Sequence, residues 1–180
     1  MIDGDSRVVR EHLEHLGLLP DKLLQRLKSE GMRVCLGNKD VLGLCDDEWL
    51  KAQSPRGWEG AHEGFVGVPG IYHIGRKTVY AGRGRSGSSS TVLHEYGHGV
   101  GELLGLKNAN STREAHQRMH KKLVEYLQQG GPGGEVGCEE LLAESIADFF
   151  IKPKGQFIEK YDEDWHSLIS RHVAQEDVVT

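Results

Sequence analysis

No run of about 18 apolar residues occurs in this sequence, so nothing in it predicts a membrane-spanning helix. No charged leader followed by an apolar stretch opens the chain, so no signal peptide is expected in it. Basic residues are outnumbered. The 22 Lys and Arg against 27 Asp and Glu leave a net charge of −5, which argues against a nucleic-acid-binding surface. Cysteine is scarce and odd in number: Cys35, Cys45 and Cys138 show no C-x-x-C spacing. That excludes a disulfide framework and a thiolate metal site. Three reduced, buried thiols are the simplest expectation, with Cys35–Cys45 the one bridge to consider. No internal repeat or linker divides the chain, and 180 residues suffice for one domain with a real core.

What the chain does have is His94-Glu95-Tyr96-Gly97-His98, an H-E-x-x-H in a segment with helical character. On a helix, residues four apart share a face, so His94 and His98 present two imidazoles to one ion. Glu95 projects beside them, placed to hold a water against a zinc ion and take its proton. Val92, Leu93 and Tyr96 give this helix apolar positions to bury.

A catalytic zinc needs a third protein ligand and an open position. Residues 138–150 read as a second helix, in which Glu140, Glu144 and Asp148 recur every four residues along one face. An acidic row is ordinarily a solvated face. Here Leu141, Leu142, Ile146, Phe149 and Phe150 flank it, so the row is expected to be buried and to need a partner. Two registers fit. In one, Glu140 binds zinc and Glu144 supports a ligand histidine; in the other, Glu144 binds zinc and Asp148 supports it.

The rest of the chain is read around these two helices. Residues 5–30 predict two helices, the second opening at Pro20 and stopping at Gly31. His12 and His15, with Glu11 and Glu14 around them, read as a solvated face. Residues 32–36, 71–74 and 77–81 read as strands, and the last is a candidate edge for an extended peptide. Gly82-Arg83-Gly84-Arg85-Ser86-Gly87 matches G-x-G-x-x-G, but no βαβ unit continues from it, so it reads as a loop feeding the HExxH helix, with Ser88, Ser89 or Ser90 as its N-cap. Ser111-Thr112-Arg113-Glu114 is a capping-box pattern for a helix to about Gln129, with His116 and His120 on a polar face. One amphipathic helix, from Phe157 through Ile169, closes the chain.

These segments together resemble the catalytic domain shared by anthrax lethal factor and the secreted Pro-Pro endopeptidases. The matching pieces run in order: Pro55-Arg56-Gly57-Trp58-Glu59-Gly60, Val68-Pro69-Gly70, Leu93 to His98, and Glu139 to Ser145. The resemblance covers roughly residues 54–153. It implies an α+β, zincin-like metallopeptidase with a small mixed sheet. Residues 1–53 would add N-terminal helices and a strand, and 54–180 the catalytic part of a single domain. It implies zinc held by His94, His98 and Glu140, with Glu144 supporting a histidine, Glu95 as general base on a zinc-bound water, and Trp58 in substrate binding. The implied partner is a peptide or protein substrate. The implied setting is a secreted protease or a toxin or effector domain. One departure stands out. Where the family has a tyrosine, seven residues before the zinc glutamate, this chain has Gly133. Losing an oxyanion donor costs about a hundredfold or more, so a weak or inactive zinc-binding module that binds protein partners is the alternative reading.

Overall fold

The computed structural model describes residues 2–3, 7–51, 53, 64–84 and 86–174. The Gly-Trp segment, including Trp58, lies outside the described residues. Strands β1 (Ile2–Asp3), β2 (Arg33–Gly37), β3 (Gly70–His73) and β4 (Thr78–Ala81) form one mixed sheet in the order β1-β2-β4-β3. The β1–β2 and β2–β4 pairs are parallel and β3–β4 is antiparallel. Residues 77–81 were expected at an edge. They lie inside, with all four residues of β4 buried, and β3 is the edge strand on that side. The parallel β2 takes one flank of β4 and the β3 hairpin takes the other.

The helices are α1 (Arg7–Leu16), α2 (Asp21–Ser29), α3 (Val41–Leu44), α4 (Glu48–Lys51), α5 (Thr91–Leu103), α6 (Asn110–Met119), α7 (Glu135–Ile151), α8 (Lys154–Lys160) and α9 (Glu163–Val173). With the sheet they make an α+β fold. Its main core joins Leu27 and Val79 to Val92, Leu93 and Val100 of α5, to Leu141 and Ile146 of α7, and to Trp165. Ser90 caps α5 by accepting the N–H of Leu93 at 3.3 Å. Helices α5 and α7 approach closely at Gly97, where a Cβ would stand 2.8 Å from the Ala143 Cα.

Several local expectations change. The His12–His15 face is not solvated. His12 is buried and its Nε2 donates to the Gly82 carbonyl at 3.1 Å, while His15 Nδ1 bonds the Ser90 hydroxyl at 2.9 Å. Together they dock α1 onto the loop that feeds α5. The capping box does not form: α6 starts at Asn110 with Ala109 in the cap position, and the Thr112 hydroxyl donates to the Leu106 carbonyl instead. That helix stops at Met119 and continues as two 3-10 turns, His120–Lys122 and Glu125–Gln128. His116 is fully buried and bonds the Leu127 carbonyl, and His120 bonds that of Gln128, so the chain folds back on this face. The closing helix is broken in two because Asp162 caps α9, accepting the Trp165 N–H at 2.7 Å, and also pairs with Arg118. The cysteines form no disulfide.

Candidate metal centre

Helix α5 is one wall of the site and α7 the other. His94 Nε2 and His98 Nε2 are 3.2 Å apart, and Glu140 Oε2 lies 3.4 Å from the first and 3.6 Å from the second. A tetrahedral ion with bonds of about 2.1 Å needs donor atoms about 3.4 Å apart. The three atoms therefore already form one face of such a tetrahedron. Among the described residues they are the group arranged to hold a metal.

The outer atoms agree with that reading. His94 Nδ1 lies 3.2 Å from Glu144 Oε2 and donates to it, since a carboxylate accepts. His98 Nδ1 faces Glu139 Oε1 at 3.5 Å. The proton held on His94 Nδ1 leaves its Nε2 lone pair turned toward His98 Nε2 and the Glu140 oxygen. Three electron-rich atoms in that geometry repel unless a cation sits among them. Without a metal, a proton takes that part. Burial by itself disfavours the His94 imidazolium, but hydrogen bonds to Glu140 and Glu144 outweigh it and push His94 up to about 10. Burial likewise opposes ionisation of Glu144, yet His94 and Lys160 bring its carboxyl down to about 2.

The structure places Glu140 on the histidine nitrogens and Glu144 behind His94. Asp148 is not behind a histidine in either register. It is wholly buried and engages Lys152 at 2.7 Å, Lys160 at 2.7 Å and the Tyr161 hydroxyl at 2.9 Å. Lys160 also reaches Glu144 Oε1 at 3.1 Å, so one ionic chain backs the centre. Lys160 carries no signal in the sequence; a lysine seven residues beyond Pro153 has no spacing that ties it to the acidic row.

Glu95 accepts the backbone N–H of Tyr72, on edge strand β3, at 2.9 Å. Burial raises its carboxyl above the ordinary range, against the neighbouring histidines. Tyr126, from the 3-10 turn Glu125–Gln128, donates its hydroxyl to Glu140 Oε2, the same oxygen that faces both histidines. Its position was not foreseen, because it sits fourteen residues before Glu140 on a turn of its own. A cavity of about 700 Å³ opens over these groups, between Tyr72 and Ile74 on one side and Val124 and Tyr126 on the other.

No family model matches the chain. A Pro-Pro endopeptidase of Paenibacillus alvei is 26% identical over 114 residues, covering 62% of this chain and 51% of that protein. The match thus spans about half of the relative's length. The solved structure of the Pro-Pro endopeptidase from Paenibacillus alvei superimposes with a TM-score of 0.67 at 19% identity, over 95% of each chain. The chain has the fold of that endopeptidase. Within this fold, Gly133 is a left-handed residue, φ +75°, whose added Cβ would stand 2.7 Å from Gln117 Nε2. A tyrosine would be strained there. A phenol does stand over Glu140, that of Tyr126.

Proposed function

We propose that this chain is a zinc-dependent endopeptidase. The observation that carries the reading is the triangle of His94 Nε2, His98 Nε2 and Glu140 Oε2 under the cavity, with Glu95 alongside. A zinc ion held by these three would supply a Lewis acid that polarises a carbonyl and brings a water's pKa toward neutrality. Glu95 accepts the proton of the attacking water and passes it to the leaving amine. Glu144 keeps the Nδ1–H of His94 in place and so its Nε2 turned to the centre.

Strand β3 is the edge on the cavity side, and Ile71 and Tyr72 line that cavity. An extended peptide adds to such an edge through backbone hydrogen bonds. Tyr126 donates to the carbonyl oxygen as it gains charge, the part that the missing tyrosine at 133 leaves open. Trp58 contributes to substrate binding by resemblance. The name of the relative makes peptides with consecutive prolines the first substrates to try. Export to the medium or delivery to a target cell is the setting that fits such a protease. Residues 1–180 act as one peptidase unit.

Turnover on a proline-containing peptide library, with chelator and then with zinc restored, tests this. Cleavage that disappears with chelator and returns with zinc is expected. Binding of peptides without any cleavage would favour the binding-module alternative.

A further inference from the structure

The inference concerns His116, which rests far back in α6 and plays no part in the steps above. Both of its ring nitrogens are used. Nε2 lies 2.7 Å from the Leu127 carbonyl oxygen, and Nδ1 lies 2.9 Å from the Gly133 backbone N–H. A carbonyl only accepts and an amide only donates. The ring is therefore neutral, with its proton on Nε2. Burial, which lowers its pKa, keeps it so. The imidazole bridges both ends of the 127–133 segment. His120 adds a second tie, from Nε2 to the Gln128 carbonyl at 3.2 Å. Gln129 Nε2 holds the Tyr126 carbonyl at 3.0 Å, and Leu127 is buried beneath.

Tyr126 itself is 41% exposed. The hydroxyl bonds Glu140, and the backbone behind it is held by His116 and His120 on one side and by the Gly137 N–H of α7 on the Gln129 carbonyl on the other. Gly137 lets the arrangement reach α7, since a Cβ there would meet His116 Nε2 at 2.6 Å.

We propose that His116 is a positioning residue for Tyr126: by bridging Leu127 and Gly133 it sets the turn that holds the tyrosine hydroxyl over Glu140. The proposal rests on the reading of Tyr126 as a donor in peptide hydrolysis. Displacing such a group by about 1 Å costs about a hundredfold. The left-handed backbone at position 133, φ +75°, is what favours glycine there. The glycine gives its N–H to His116, and in exchange a tyrosine from the other end of the same tied segment reaches the centre.

Two readouts test it on the zinc-loaded full chain. The first is the ring ζ-carbon NMR signal of Tyr126 in protein carrying 13C-tyrosine, assigned among the five tyrosines by its loss in Tyr126→Phe. In His116→Ala this signal is expected to move while those of Tyr80 and Tyr161 stay. In His116→Gln, which still donates to Leu127 and accepts from Gly133, it is expected near its parent position. An unmoved signal in folded His116→Ala, or a shift in His116→Gln as large as in the alanine variant, overturns the proposal. Should His116→Ala fail to fold, His120→Ala takes its place, and an unmoved Tyr126 signal there counts against the proposal in the same way.

The second readout is kinetic. His116→Ala is expected to lower kcat by about tenfold to a hundredfold with KM nearly unchanged. In a Tyr126→Phe background it is expected to lower kcat no further, because residues that act through one another are not additive. Equal losses in both backgrounds would mean that His116 acts elsewhere. Parent and Tyr126→Phe cleaving alike would remove the donor reading of Tyr126 and leave the NMR signal to decide the latch. A parent that cleaves nothing would do the same for the peptidase reading.

Discussion

Glu95 is bonded to the backbone N–H of Tyr72 at 2.9 Å, so the proposed general base is tied to edge strand β3. The bond uses Oε2. Replacing Glu95 by alanine should abolish cleavage while leaving about one zinc per chain, because the carboxylate moves protons and is not among the three converging atoms. Elemental analysis and a turnover assay on the same sample check both halves. Proteolysis at the parent rate would end the mechanism.

The acidic row on α7 divides into three roles that variants should separate. Glu140→Gln and His98→Ala each remove a converging atom and should lose most of the zinc. Glu144→Gln should weaken zinc about 10- to 100-fold, since it orients His94 without facing the ion. Asp148→Asn should leave zinc binding close to the parent and lower stability by on the order of 3 kcal/mol, by leaving Lys152 and Lys160 short of a partner. Zinc titration and denaturant melts rank the four. Parent-like zinc in Glu140→Gln with loss in Glu144→Gln would move the ligand by one turn.

The centre was legible in the sequence because it rests on helical spacing. The i,i+4 histidine pair and the acidic row specify faces, and two such faces among apolar neighbours can hardly avoid meeting. The spacing could not choose between Glu140 and Glu144. That choice depends on the axial offset of α5 and α7, which Gly97 against Ala143 sets through space. The polar histidines misled for a related reason. His12, His15, His116 and His120 sit among charged residues in sequence, but their partners are a hydroxyl and backbone groups 8 to 75 positions away, on other segments. Strand positions were readable from β-rich runs. Which strand lies at the edge was not, because the parallel β2–β4 pairing is a long-range choice.

His12 gives a pH prediction. Burial lowers its pKa despite the bond to Gly82. A histidine whose folded pKa lies below 6.5 is protonated more readily in the unfolded chain. Its stabilising contribution is complete above pH 6.5 and is lost as pH falls toward the folded value. Replacing it by Gln, which can still donate to the Gly82 carbonyl, should flatten the loss of stability between about pH 7 and pH 5. Urea melts at several pH values measure this. An unchanged slope would mean that other groups govern the acid limb.

Two glycines should respond to alanine with opposite signs. At Gly97 the added Cβ meets the Ala143 Cα at 2.8 Å and its carbonyl oxygen at 2.9 Å, both backbone atoms that move only if a helix moves. Overpacking of this kind costs about 1–3 kcal/mol. The larger consequence is at the metal. Pushing α5 off α7 carries His94 and His98 away from Glu140, whose distances of 3.4 and 3.6 Å already suit an ion. Zinc affinity should therefore fall in Gly97→Ala even where the variant still folds. At Gly155 in α8, nothing lies within 4 Å of the added Cβ. Alanine there only restricts the unfolded chain and favours the helix, and should stabilise by about 0.5–1 kcal/mol with zinc affinity unchanged. Thermal melts and zinc titrations of the two variants side by side decide the point. If Gly97→Ala binds zinc as the parent does, the contact with Ala143 is not what brings the two helices to a common ion.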